Sequence, residues 1–254
     1  MVAFVGLTLE IRRTRYLGVA FLLTRRVKCT QAVLHVISDK QRHRLPLLEA
    51  MVQSALGGAD VIQIREKKSP AQETYQFCEE FKSSCRDAGV VPNLFVNDRM
   101  DIAIATQAQG VHLAQKSLPV ASAIQLSQRA QWDGFIGCSV HSLEEALAAY
   151  DAGVDYVTFG HVYASATHRG LPPRGVQELD RIVSALSIPV IAIGGIDQTN
   201  ISSVLSTGCS GVAIIGAILD QDFPQAATAI LKEQINRSTV TPKMPFIRRR
   251  RIDG

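Results

Sequence analysis

The feature that most limits the folds open to this chain is an alternation. Between residues 31 and 236, short apolar runs rich in β-branched residues recur eight times, and a helical pattern follows each. The runs are Val33–Ile37, Val61–Ile64, Leu94–Val96, Gly110–Leu113, Phe135–Cys138, Tyr156–Phe159, Pro189–Ile193 and Gly211–Ile215. The helical stretches are Leu47–Leu56, Ala71–Ala88, Asp101–Thr106, Ala121–Ser127, Leu143–Asp151, Val176–Ala185, Asn200–Ser206 and Asp222–Asn236. Several strands are apolar at successive positions, as a parallel strand covered on both faces must be. Gly58–Ala59–Asp60 and Gly153–Val154–Asp155 each precede a strand, with a glycine placed to end the helix in a conformation other residues resist. Eight units at about 26 residues each sit near the compact limit of a closed (β/α)8 barrel. The spacing therefore predicts an α/β fold, a single-domain TIM barrel over residues 31–236. An open doubly wound sheet would also alternate strands with helices, but eight units favour closure.

Composition matters most when it is split by region. The 254 residues carry a net charge of +4, which by itself suggests a basic protein. Residues 1–30 hold six Lys/Arg against Glu10, and residues 237–254 hold six against Asp253. Subtracting these two segments of +5 from the total leaves the middle at −6. A mildly acidic domain with two basic extensions gives no support to nucleic-acid binding by the folded part. Both extensions are expected to be disordered. The apolar run Tyr16–Leu23 lacks a small-residue cleavage site and runs straight into Thr24–Arg25–Arg26, so it reads as extension rather than targeting segment. No stretch reaches the roughly 18 apolar residues of a spanning helix, so no membrane is expected. Five cysteines, an odd count without CxxC or zinc-like spacing, read as reduced thiols of a cytoplasmic protein.

In a closed parallel barrel the chemistry sits on the loops that leave the C-terminal ends of the strands. Those positions hold Ser38–Asp39, Arg65–Glu66–Lys67, Asn97–Asp98–Arg99, Gln115, Ser139 with His141, Gly160–His161, Gly194–Gly195 and Gly216. Gly194, Gly195, Ile215 and Gly216 follow strands 7 and 8, where backbone amides of many barrels cradle a phosphate. Arg65 and Lys67 alternate across the end of strand 2, so both project over the mouth and suit an anionic group. Asp98 alone is a poor magnesium site; pairing with Arg99 or capping the next helix is its other reading.

The histidines divide by position. His35 and His112 lie within strands and are expected to be satisfied structural groups, while His43 and His168 fall in loops. His141 precedes Ser142, which with Glu145 forms a capping box, so a structural role competes with a functional one. His161 follows strand 6 directly, and an imidazole aimed at the rim suits proton transfer near neutral pH.

Val61–Lys67 (VIQIREK), Val96–Asp101 (VNDRMD), Gly110–Gln115 (GVHLAQ), Gly137–Glu145 (GCSVHSLEE) and Pro189–Ile196 (PVIAIGGI) resemble the thiamine-phosphate synthase superfamily in order and spacing. That resemblance implies a (β/α)8 barrel acting on thiazole phosphate, by one of two reactions. Thiamine-phosphate synthase couples a pyrimidine diphosphate to thiazole phosphate with Mg²⁺. The TenI-type thiazole tautomerase aromatises a carboxylated thiazoline phosphate by proton transfer without a metal.

Departures from the synthase pattern point to the tautomerase. Lys116–Ser117 stands where the synthase carries a second Mg²⁺-binding aspartate, and Ala164–Ser165–Ala166–Thr167–His168 replaces a loop with a diphosphate-stabilising lysine. Phe159–Gly160–His161–Val162, Arg169–Gly170–Leu171 and Arg174–Gly175–Val176 are similar to the tautomerase branch, whose catalytic histidine falls on His161. Asn97–Asp98–Arg99 and Lys67 keep the synthase form.

The leading expectation is therefore an isomerase. His161 would be catalytic, with Arg65, Lys67, Asn97, Ser139, His141, Gly194, Gly195, Ile215 and Gly216 binding substrate. No cofactor is expected, with Mg²⁺ at Asp98 only for the synthase alternative. A non-catalytic thiazole-phosphate-binding regulator is the third reading. The partner is the small substrate, and a homodimer is left open.

Overall fold

A computed structural model describes residues 31–42, 44–165 and 170–246. Its eight strands are β1 (Val33–Ile37), β2 (Val61–Ile64), β3 (Asn93–Asn97), β4 (Gly110–Leu113), β5 (Phe135–Val140), β6 (Tyr156–Gly160), β7 (Val190–Ile193) and β8 (Gly211–Ile214). All neighbours are parallel and the order runs β1 to β8 in sequence. The barrel closes where β1 pairs with β8, from Val33 opposite Gly211 to Val36 opposite Ile214.

The helices are α1 (Leu47–Leu56), α2 (Ala71–Asp87), α3 (Met100–Ala105), α4 (Val120–Arg129), α5 (Leu143–Asp151), α6 (Gly175–Ala185), α7 (Ile201–Leu205), α8 (Gly216–Leu219) and α9 (Pro224–Arg237). The (β/α)8 barrel expected from the alternation is the fold observed. The four-residue α8, which opens at Gly216, is an addition that the periodicity did not signal.

Side chains close the base of the barrel in a repeating way. At the start of every odd strand, a backbone amide is taken by a polar side chain just ahead of, or opening, the next strand. Leu34 donates to Asp60 Oδ2 at 2.7 Å and Leu94 to Gln109 Oε1 at 2.8 Å. Ile136 donates to Asp155 Oδ2 at 2.7 Å and Val190 to Ser210 Oγ at 3.0 Å. The aspartates of the two Gly-x-Asp phrases are two of these four acceptors. Their glycines, Gly58 and Gly153, have φ of +97° and +87°, the left-handed turn expected at a helix end.

Two apolar clusters follow from the pleat. The larger lies between barrel and helices. The smaller is Val33, Ile37, Val61, Phe95, Tyr156, Ile191 and Ala213, with Phe135, Ile193, Ile215 and Phe246 against it. Phe246 corrects an expectation. The composition of residues 237–254 reads as a detached tail, whereas residues 238–246 are bound to the barrel. Lys243 donates its amide to Gly208 O at 2.8 Å and its ammonium to Val183 O at 3.0 Å and to Ser184 O. Phe246 stacks on Phe135 with centroids 4.9 Å apart and meets His35 and Tyr156 edge-on at 5.1 and 5.2 Å. The segment's one aromatic ring fills a gap lined by aromatic rings, and that long-range match leaves no periodic trace. Residues 1–30 and 247–254 lie outside the described residues.

Candidate active site

A single-residue alternation turns Arg65 and Lys67 one way and Glu66 the other. The Glu66 side chain is buried, accepting from Ser38 Oγ at 3.1 Å and pairing with Lys40 at 3.3 Å. Arg65 and Lys67 line a cavity of about 1370 Å³ at the C-terminal mouth of the barrel. They face it as neighbouring cations. The Arg65 guanidinium is the main cause holding the Lys67 ammonium below the usual lysine range, with partial burial adding to it and Asp98 and Asp39 opposing. Asp39 stands 4.0 Å from Arg65. An anion placed between the two cations would relieve their repulsion.

The next polar residues form a chain across β2, β3 and β4. Gln63 Nε2 donates to Asn97 Oδ1 at 2.9 Å, and Asn97 Nδ2 donates to Asp98 Oδ2 at 2.6 Å. Asp98 has φ +62° and also accepts at Oδ1 from the Ala114 amide at 3.0 Å and from the Ser117 hydroxyl. Asp98 does not pair with Arg99, whose guanidinium instead holds Asp101 at 2.9 Å. His112 takes Ser139 Oγ at 2.9 Å on one ring nitrogen and Tyr156 OH at 3.1 Å on the other. Burial pushes His112 down to about 4, with Asp98 pulling the other way and Arg65 adding to the shift, so its imidazole is neutral at physiological pH. His35 is not the satisfied group expected: its Nε2 has no hydrogen-bond partner among the described residues, and burial, with help from His112, lowers it to about 3.

On the far side of the mouth, Gly194 and Gly195 turn with φ of +100° and +65°. A side chain at Gly194 would collide with His161, whose Cβ lies 2.4 Å from where the new carbon would sit. Three successive carbonyls of this turn are tied back into the protein. Ile193 O accepts from the Val162 amide at 2.9 Å, Gly194 O from the Tyr163 amide at 3.0 Å, and Gly195 O from Asn200 Nδ2 at 2.9 Å. With its carbonyls occupied, the turn has amide donors as the polar groups left to offer a ligand. Gly194, Gly195, Ile215 and Gly216 all line the cavity, as do Asn97, Asp98, Ser139 and His141.

His141 serves two partners, its ring on Gly160 O at 2.9 Å and its amide on Glu145 Oε2 at 2.7 Å. Ser142 accepts from the Glu145 amide at 3.2 Å, so the expected N-cap forms, while the Glu145 carboxylate takes the His141 amide one residue ahead of it.

His161 is the residue that does not reach the site. It is 3% exposed, its Nε2 lies 3.3 Å from Leu171 O, and it is not among the cavity-lining residues. The turn at Gly194 stands against it. His43 and residues 166–169, among them His168 and Arg169, lie outside the described residues. Sequence reasoning passed over Gln63, Thr158 and Arg42 as site residues and set His112 aside, although all four line the cavity. Gln63, His112 and Thr158 had a signal: each is a polar residue inside an otherwise apolar strand.

The Asp98 carboxylate is partly taken by internal donors. A carboxylate offers about four acceptor positions, and the three internal donors leave about one, on Oδ2. That fits magnesium held by one carboxylate together with substrate phosphates, an arrangement this ion commonly takes. Among the described residues no cluster of three metal-binding side chains occurs.

The fold and this mouth define a (β/α)8 barrel with a polar, cation-bearing cavity at the C-terminal ends of its strands. The family profile described as thiamine monophosphate synthase (TMP-TENI) matches residues 34–218. The thiamine-phosphate synthase of Chlorobium luteolum is 38% identical over 205 residues, covering 80% of this chain and 93% of that protein. That of Chlorobium phaeovibrioides is 39% identical over 206 residues, covering 80% and 95%. The solved thiamine phosphate pyrophosphorylase of Pyrococcus furiosus superposes with a TM-score of 0.72 at 33% identity, covering 82% of this chain and 98% of that one. The chain belongs to the TMP-TENI family of thiamine-biosynthesis enzymes. No helix among the described residues is long and apolar enough to cross a membrane.

Proposed function

We propose that this protein is a thiamine-phosphate synthase, joining a pyrimidine diphosphate to thiazole phosphate. This reverses the order of preference that the sequence departures suggested. The observation that carries it is the pairing of Arg65 and Lys67 on one side of a single cavity with the Gly194–Gly195 and Ile215–Gly216 turns on the other. Such a mouth has room for two anionic groups. The names of the relatives support the same reading.

The chemistry follows from the charges. The thiazole nitrogen's lone pair forms the new carbon–nitrogen bond as the carbon–oxygen bond to diphosphate breaks, and diphosphate leaves with that electron pair. No side chain has to take a proton. Arg65 and Lys67 hold the departing charge, where fixed cations act most strongly on a transition state. Asn97 is locked by Gln63 and Asp98, and Ser139 by His112, so both polar groups are fixed in place before substrate arrives. The glycine turns would hold the thiazole's phosphate and so keep its ring nitrogen in line. Asp98 would carry magnesium together with the diphosphate, and the ion would neutralise the leaving group.

The thiazole tautomerase is the second reading, favoured by Ser117. Its hydroxyl bonds Asp98 at the position where the synthase pattern has an acid. That reading requires His161 to gain access to the cavity through movement of the Leu171 segment. Purified protein assayed on both substrate sets, with and without EDTA, separates them. Thiamine phosphate formed only without EDTA supports the synthase. EDTA-insensitive aromatisation with no thiamine phosphate would replace it with the tautomerase. Binding of thiazole phosphate with neither turnover would leave a regulator.

A further inference from the structure

The loop that follows β1 reaches toward both neighbouring strands, β2 and β8. Asp39, near its start, approaches Arg65 after β2, and Arg42, three residues on, lies beside the β8–α8 turn. Arg42 Nη2 donates to Asp220 Oδ2 at 2.6 Å, and Nε stands 3.4 Å from Oδ1. Arg44 repeats the pattern two residues later, donating to Asp222 at 3.1 Å. A Cβ added to Gly216 would lie 2.8 Å from both Arg42 Nη2 and Asp220 Oδ2, so the ion pair rests on that glycine. Arg42, Asp220 and Gly216 all line the cavity.

This placement is odd for a pair whose only work is structural. The two side chains are 28% and 41% exposed, and ion pairs so open to water add little to stability. A carboxylate at the mouth of a phosphate cradle also repels the ligand, unless a cation covers it or leaves it for the ligand. Guanidinium groups bind carboxylate and phosphate through the same fork of donors, so one oxyanion can replace the other with little rearrangement.

We propose that Arg42 is a side-chain ligand of the substrate's phosphate, and that Asp220 holds the guanidinium in position until the phosphate takes its place. This rests on the assignment of phosphate to the Gly194–Gly195 and Ile215–Gly216 turns, and it adds a charged contact to a cradle otherwise made of main chain. It does not depend on which of the two reactions follows, because both substrates carry that phosphate.

Calorimetric titration of the full chain with thiazole phosphate, and with the corresponding dephosphorylated alcohol, tests it. Arg42→Ala is expected to weaken thiazole phosphate by about 10- to 100-fold and to leave the alcohol unchanged. Asp220→Asn, nearly isosteric, is expected to tighten thiazole phosphate by about two- to fivefold, because it removes a competitor for the guanidinium. A loop clip without ligand contact predicts instead that both substitutions weaken binding, and that result would overturn the proposal. So would an Arg42→Ala affinity within twofold of the unaltered protein. If Arg42→Ala melts early, the direction of the Asp220→Asn change alone decides. Equal affinity of the unaltered protein for ester and alcohol would be a different failure: it would remove the phosphate assignment itself, and this proposal with it.

Discussion

The two ends of the barrel are built from the same strands and differ by one pleat. On β2, β3 and β6 the inward positions nearer the base are Val61, Phe95 and Tyr156, and those two residues further on are Gln63, Asn97 and Thr158. Two residues along a strand is about 6.6 Å. Over that distance the interior passes from an aromatic plug sealed by Phe246 to a polar floor under an open cavity. The two strand histidines follow the same divide. His112, at the polar level, has partners on both nitrogens, whereas His35, in the plug among aromatic rings, has none on Nε2 among the described residues. Stability is therefore concentrated at the base and chemistry at the mouth, so substitutions at the two ends should fail in different ways.

The largest expected effect is at the base. Phe95→Ala removes a fully buried ring and should cost about 3–5 kcal/mol of stability in urea unfolding, while molecules that remain folded keep their turnover. Arg65→Ala should do the reverse. Thiamine-phosphate formation falls by about 100- to 1000-fold, and the urea midpoint moves by less than the equivalent of about 1 kcal/mol. Loss of turnover in the first variant, or loss of stability in the second, would blur the division between the ends.

Acid should act on both levels together. His35 and His112 are held neutral in the folded protein, at about 3 and about 4, whereas an unfolded imidazole takes up its proton near 6.5. The unfolded chain thus binds more protons below that point. Stability should be complete above about pH 6.5 and fall by up to about 1.4 kcal/mol per pH unit for each histidine as pH drops toward 4. His35→Leu removes the plug's share and should flatten the decline by about half. An unaltered slope would mean that His35 is not held neutral in the plug.

The barrel was legible because its signal is local and repeated: eight apolar runs, two Gly-x-Asp phrases and a helix cap at Ser142. The mouth was legible for a related reason, since strand ends in a closed barrel share one rim, and Arg65, Lys67, Asn97 and Gly195 all come to it. What escaped depends on distance and depth. Arg42 meets Gly216 and Asp220 across more than 170 residues of chain, and nothing near Arg42 announces them. Phe246 finds its aromatic socket in the same way. His161 was placed at the rim by its position after β6, but the direction of its side chain is set by the Gly194 turn packed against it, and a position along the chain does not carry that direction. Gln63 and His112 were open to discovery as polar interruptions of apolar strands.

The most direct test of the mouth is diphosphate release by Lys67→Met with both substrates saturating and magnesium present. Loss of about 100-fold in turnover at an unchanged melting temperature is the predicted result. Release at the rate of the unaltered protein would contradict a role for these cations in carrying the departing charge.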